Sequence, residues 1–185
     1  MSTKEKILDL AEHYIQHNGY NGFSYHDISS VLGIKNAAVH YHFPKKEELA
    51  NEVIKKAQVQ FENIVEKAEV YDVTYTDKVR RFLTIYDNNL RKENRVCLIG
   101  SFATNLDALP PGLNAPLAAL VAAIKSWLTM VLAQGREAGE FHFRGSPGQR
   151  AALICSGMAG ALQLAKILGN EEYYEIKSQL LNDLV

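Results

Sequence analysis

Apolar residues recur along this chain at intervals of three and four. No stretch sustains alternation at two between turns, so the pattern predicts helices throughout and no sheet. A capping box, Ser2 with Glu5, opens the first helix, whose apolar face is Ile7, Leu8, Ala11, Tyr14 and Ile15; Gly19 ends it. A second capping box, Ser24 with Asp27, opens a short helix with Ile28, Val31 and Leu32 on its inner face. Gly33 makes the next turn. A third helix is expected over Asn36–His42, where Pro44 blocks its extension. The fourth, expected over residues 46–68, carries Leu49, Val53, Ala57, Phe61, Ile64 and Val65 on one face, and Glu47 and Glu48 suit the positive end of its dipole. Five more follow: residues 76–92, 98–106, 115–138, 147–168 behind a Ser146-Pro147 start, and 171–184. The segment Leu109-Pro110-Pro111-Gly112 breaks the chain before the seventh.

Two short helices joined at Gly33 form the layout of a helix-turn-helix, in which the second helix enters the DNA major groove. Here that second helix carries polar and aromatic residues, Asn36, His40, Tyr41 and His42, where a surface helix would usually be charged. Bulk charge does not carry this reading. The net charge is −1, and residues 1–50 hold five Lys, no Arg and six acids. DNA affinity must rest on the local placement of a few donors. Five of the six histidines lie in this region and add donors near neutral pH.

Other features bound the class. The N-terminus lacks the apolar core of a signal peptide. The apolar run over residues 115–133 is interrupted by Lys125, Ser126 and Thr129, which favours a buried helix over a membrane span. Cys97 and Cys155 are far apart and lack metal spacing, which points to a reducing cytosol with no disulfide framework. His40 and His42, two apart on a helix, point in different directions and make a weak chelate, so no metal or other cofactor is expected. No Gly-rich phosphate loop, nucleophile elbow or His-Glu-x-x-His motif is present, so an enzyme is not expected.

The stretch Leu32-Gly-Ile-Lys-Asn-Ala-Ala-Val-His-Tyr-His-Phe-Pro-Lys-Lys-Glu-Glu-Leu49 resembles the reading head of the TetR family of transcriptional regulators. The order of helices beyond it, the segment Gly135-Arg136-Glu137-Ala138-Gly139-Glu140-Phe141 and the small-residue eighth helix extend the likeness. Two positions depart from it. Lys35 stands where relatives often have Ser, leaving Asn36 as the candidate cap of the third helix, and Lys45 precedes the fourth helix. The resemblance implies an all-α chain with a helix-turn-helix domain over residues 1–48 and a ligand-binding and dimerisation domain over residues 49–185.

Candidate roles follow. Lys35, Asn36 and Ala38 are placed to meet bases, since Asn reads adenine bidentately, Lys favours guanine acceptors and a methyl touches thymine. His40 and Tyr41 would reach the groove wall, while Val39 and Phe43 turn inward. By the resemblance Ser24 and Lys46 are phosphate donors; the alternatives are a helix cap only and a solvated lysine. Tyr86, Phe102, Trp127, Met130, Met158 and Leu162 are either ordinary core or the lining of an effector pocket, which the resemblance places among helices four to eight. Leu153, Gly157, Gly160 and Leu164 on helix eight form a close-approach surface, for a second copy or for tight packing within the chain. Cys97, beside Arg95 at a helix start, is a candidate thiol sensor or a small buried residue, and Cys155 is expected to be inert. The expected partners are double-stranded operator DNA, a second copy and a small-molecule effector, with no membrane. The expected function is a cytoplasmic, ligand-responsive repressor; an activator, a non-sensing repressor and, distantly, a helical enzyme are the alternatives.

Overall fold

The computed structural model describes residues 1–92 and 95–185. Its helices are α1 (Thr3–Asn18), α2 (Tyr25–Leu32), α3 (Asn36–His42), α4 (Lys46–Tyr71), α5 (Tyr75–Arg91), α6 (Leu98–Ala103), α7 (Asn114–Glu137), α8 (Pro147–Leu168) and α9 (Asn170–Asn182). Short 3-10 turns over Leu106–Ala108 and Pro111–Leu113 lie between α6 and α7, so the sixth helix stops earlier than residue 106. No strand occurs among the described residues, and the chain is all-helical as its periodicity predicts.

Local chemistry sets most boundaries. Both expected capping boxes form, Ser2 with Glu5 and Ser24 with Asp27, and α8 starts with a third, Ser146 with Gln149. Thr74 caps α5 by accepting from the Asp77 N–H at 3.0 Å. Gly33 sits at φ 65° and ψ 31°, the left-handed conformation that only glycine adopts without strain, and the α2–α3 turn follows from it. Asn36 does not cap α3. Lys35 occupies the cap position without a side-chain bond, so Asn36 lies inside the first turn with its side chain uncommitted to capping. Val31 also corrects the sequence reading, being 62% exposed. The inner face of α2 is centred on Tyr25, Ile28 and Ser29, and Val31 lies about 110° round the helix from that centre.

The described chain forms two compact units, residues 1–59 with 98–120, and residues 60–97 with 121–185. This division does not follow the 48/49 boundary, because α6 returns to pack against α1 and brings the start of α7 with it. In the first unit Ile7, Ala11 and Ile15 of α1 are buried, as are Ile28, Val39, Phe43, Leu49, Val53 and Leu113. Lys56 of α4 pairs with Glu12 and, at 2.5 Å, with Asp9, fastening α4 to α1.

The second unit has its own core, which includes Phe61, Phe82, Leu83, Tyr86, Trp127, Leu128, Met158, Leu162 and Tyr173. Helices α7 and α8 are long and apolar enough to cross a bilayer by length and composition, yet Leu128, Val131 and Leu132 of α7 and Ile154, Met158 and Leu162 of α8 all contribute to this core. A polar pin joins α5 to α9: the buried Tyr173 hydroxyl donates to Asp87 at 2.7 Å, and Lys177 bonds both Asp87 oxygens at 2.7 and 2.8 Å. The Gly135–Phe141 motif is a close-packing device. A Cβ on Gly135 would lie 2.3 Å from the Phe141 ring, so only glycine lets that ring fold back under α7.

Burial raises the pKa of four tyrosines, Tyr20 upward, Tyr25 to about 12, and Tyr86 and Tyr173 well upward, with the Asp87 carboxylate adding to the last. Each keeps its proton in the folded chain above about pH 10, where an unfolded tyrosine ionises. The unfolded state then binds fewer protons, so this stabilisation is intact below about pH 10 and is lost as the pH rises from there toward the folded-state values. Urea midpoints measured from about pH 9 to about pH 11 should fall, and the fall should be shallower in a Tyr86→Phe, Tyr173→Phe double variant.

Candidate nucleic-acid interface

Helix α3 has seven residues and one buried position, Val39, at 0% exposure. Phe43, just past its end, is buried too. With these anchors inward, the helix period turns Asn36, Ala37, His40 and Tyr41 outward, and all four are exposed; Lys35 precedes them, also exposed. Tyr41 is 83% exposed, unusual for so large an apolar ring. Ala38 lies at the edge of this arc, half-buried. The structure therefore brings Lys35, Asn36, His40 and Tyr41 onto one outward face.

Two side chains that the sequence reading passed over or assigned elsewhere hold this face in place. The Tyr25 hydroxyl donates to the Phe43 carbonyl at 2.8 Å, and its ring meets the His40 imidazole edge-on at 4.7 Å between centroids. Tyr25 thus ties the start of α2 to the end of α3. The signal was available in sequence, as a Tyr just inside a capped helix, but its partner is a backbone carbonyl 18 residues away. Lys46 is the second. Its ammonium donates to the Phe23 carbonyl and sits over the Phe23 and Tyr20 rings, at 4.0 and 4.9 Å from their centroids. Burial lowers its pKa, which Asp27 partly offsets. Lys46 is therefore an internal clamp in this unit, whatever else its remaining donors meet. Ser24 is exposed and spends its hydroxyl on Asp27, donating to Oδ2 at 2.7 Å while accepting from the Asp27 N–H. Lys45, next to Lys46 in the chain, is exposed.

The other sequence-derived positions divide between the units. Tyr86, Trp127, Met158 and Leu162 meet in the second unit's core. Phe102 does not join them, because α6 packs on α1 and buries Phe102 in the first unit. Met130 is also outside that core, 42% exposed, since the helix period turns it away from the buried Leu128 and Leu132 of α7. Cys97 and Cys155 both pack against the core, and both act electrostatically on Tyr86, whose hydroxyl is hydrogen-bonded to Cys155. Burial pushes the Cys155 thiol up to about 11, which keeps it protonated. On α8 the two glycines differ. A Cβ on Gly157 would meet Leu180 of α9 at 3.0 Å, so Gly157 serves packing within the chain, whereas one on Gly160 would meet nothing within 4 Å. Leu153, Leu164, Ile167 and Leu168 are exposed on the same helix. Among the described residues no cluster of three or more His, Cys, Asp or Glu could hold a metal.

A capped short helix, a left-handed glycine turn and a second short helix with an outward polar face define a helix-turn-helix DNA-binding regulator. A model of "Bacterial regulatory proteins, tetR family" matches residues 7–53, and one of "Tetracyclin repressor-like, C-terminal domain" matches residues 76–181. The chain belongs to the TetR family of transcriptional regulators. Its fold is similar to a TetR-family transcriptional regulator from Agrobacterium tumefaciens, 26% identical, with a TM-score of 0.90 over 98% of this chain and 97% of that one. A TetR regulator from Legionella pneumophila is similar at 29% identity and a TM-score of 0.86, covering 100% and 98%. In sequence the chain is similar to the negative transcriptional regulator IcaR of the icaADBC biofilm operon. In Staphylococcus epidermidis the identity is 41% over 46 residues, 25% of each chain; in Staphylococcus aureus strain Newman it is 32% over 62 residues, 34% of this chain and 33% of that protein. The chain thus matches only a quarter to a third of the length of these curated relatives.

The clamp role of Lys46 has a measurable consequence without DNA. Lys46→Ala removes a charge-assisted bond to a carbonyl and two ring contacts from a half-buried site, and should cost about 1–3 kcal/mol of stability. The check is the urea midpoint of the purified chain. A solvated lysine would leave that midpoint where it was.

Proposed function

We propose that this chain is a homodimeric repressor that reads a near-palindromic operator through α3 and is released by an effector acting on its second unit. The observation that carries the reading is the outward face of α3, with Lys35, Asn36, His40 and Tyr41 exposed around a helix whose only buried residue is Val39. Asn36, free of capping, reads adenine; Lys35 favours guanine acceptors; Ala37 and Ala38 allow close approach; His40 and Tyr41 meet the groove wall. Ser24, Lys45 and the remaining donors of Lys46 meet phosphates, which fix register and carry no sequence information. Repression, rather than activation, is supported by the similarity to IcaR, a negative transcriptional regulator.

Dimerisation is proposed through α8 and α9. One head covers few base pairs, and two heads on one face of DNA sit roughly 34–36 Å apart. The exposed Leu153, Leu164, Ile167 and Leu168, with open space over Gly160, supply the apolar surface. The effector site is proposed around Tyr86, Trp127, Met158 and Leu162. Helix α4 supplies residues to both units, so an effector that favours a different packing of the second core shifts the heads through an unbroken helix. A thiol-modified Cys97 is the second reading of the signal, favoured by its place against that core beside Tyr86.

Recovery of genome fragments bound by the full chain tests the function, with a repeated half-site as the expected result. Asn36→Ala should then relax preference at one base position per half-site, by about 1–3 kcal/mol of discrimination. Binding to all fragments weakened alike, with preference intact, would remove Asn36 from the readers. For the dimer, Gly160→Leu fills space that is open within one chain, so it should leave helicity and melting nearly unchanged while sedimentation shifts toward monomer. A wild-type chain that sediments as a monomer at micromolar concentration would defeat this interface.

A further inference from the structure

Among the described residues the second unit buries three side-chain nitrogens without a hydrogen-bond partner, a guanidinium nitrogen each of Arg95 and Arg136 and the indole nitrogen of Trp127, the last being the one set among the core's aromatic rings. Trp127 is 8% exposed, and its indole N–H meets no acceptor among the described residues. Its ring lies 6.0 Å from Phe61, edge-on, and 6.0 Å from Phe82. Phe82 in turn lies 6.0 Å from Tyr86, edge-on. Four aromatic rings from α4, α5 and α7 therefore form a row, with an unspent donor at Trp127 and a hydroxyl at Tyr86 already engaged with Cys155. A lone buried donor among rings is a poor seat for water, which needs two to four polar partners. It suits one acceptor carried on an apolar body.

We propose that the effector is an uncharged aromatic molecule bearing a carbonyl-type acceptor, whose oxygen takes the Trp127 indole N–H while its ring packs with Phe61 and Phe82. The charge of the ligand is constrained by the groups nearest this row. Tyr86 and Cys155 are both held un-ionised by burial, so neither balances an ionic ligand. Lys125, whose charge acts on Cys155 less than burial, Tyr86 or Cys97 does, is exposed. Aromatic packing supplies most of the affinity, and the single hydrogen bond supplies the discrimination, because an analogue without the acceptor leaves the donor buried and unpaired. This inference rests on the reading that the second unit receives an effector.

Trp127 is the only tryptophan in the chain, so its indole N–H gives one resonance in a nitrogen-correlated spectrum of the labelled full chain. Three probes separate the contributions: acetophenone, ethylbenzene and benzoate. Acetophenone should move the indole proton downfield in a saturable way. Ethylbenzene, the same skeleton without the oxygen, should bind more weakly and give no downfield shift, and benzoate should leave the resonance in place. Trp127→Phe should weaken acetophenone by about tenfold, the worth of one neutral hydrogen bond, and leave ethylbenzene unaffected. An indole resonance unmoved by acetophenone, or benzoate binding as tightly as the ketone, would overturn the proposal. A separate arm adds acetophenone to the complex with a recovered genomic fragment. A downfield indole shift with the DNA still bound would uphold the ligand chemistry and overturn release by an effector, so the two readings fail separately.

Discussion

A helix of seven residues does not hold itself together in water, since helix nucleation is costly and two turns return few bonds. Helix α3 exists because the first unit grips it. Val39 and Phe43 are buried, the Tyr25 hydroxyl bonds the Phe43 carbonyl, and Lys46 bonds the Phe23 carbonyl just ahead of α2. These contacts also fix rotation. With Val39 inward, the helix period leaves only one arrangement for Asn36, His40 and Tyr41. Everything a DNA reader needs from this helix depends on that grip, because a chain with a net charge of −1 has no general attraction for a polyanion to fall back on.

The same constraint explains why Lys46 is half-buried. A lysine at the start of α4 is ordinarily a solvated point charge. Here its ammonium sits over two rings and against a carbonyl, so its charge is spent partly on holding the strand of chain before α2 against the start of α4. In the proposed function its remaining donors would meet a phosphate from a defined position, which is worth more for register than a mobile one.

The second unit is built on a different balance. Its core is apolar and aromatic, and α5 is fixed to α9 by one polar pin, Asp87 with Tyr173 and Lys177. Against that background the unpartnered Trp127 N–H is conspicuous, since buried donors are nearly always satisfied. Helix α8 divides its faces sharply. Ile154, Met158 and Leu162 go into the core, Gly157 admits Leu180 of α9, and Leu153, Leu164 and Ile167 remain outside.

The sequence by itself determined the elements. Periodicity of three and four, the capping boxes at Ser2 and Ser24, the Gly33 turn and the Pro44 stop are local signals, and each acts through atoms a few residues apart. The reading head was legible for the same reason, as its motif is one short contiguous stretch. Only the tertiary structure decided what depended on distant partners. It showed that Phe102 belongs to the first unit and Met130 to an outer flank, because a helix's apolar residues do not say which neighbour will cover them. It made Tyr25 and Lys46 clamps, since their partners are carbonyls 18 and 23 residues away, and no side-chain pattern encodes a backbone acceptor. It separated Gly157 from Gly160, which in sequence are two small residues three apart, because steric room is a property of the packed surroundings and not of the residue.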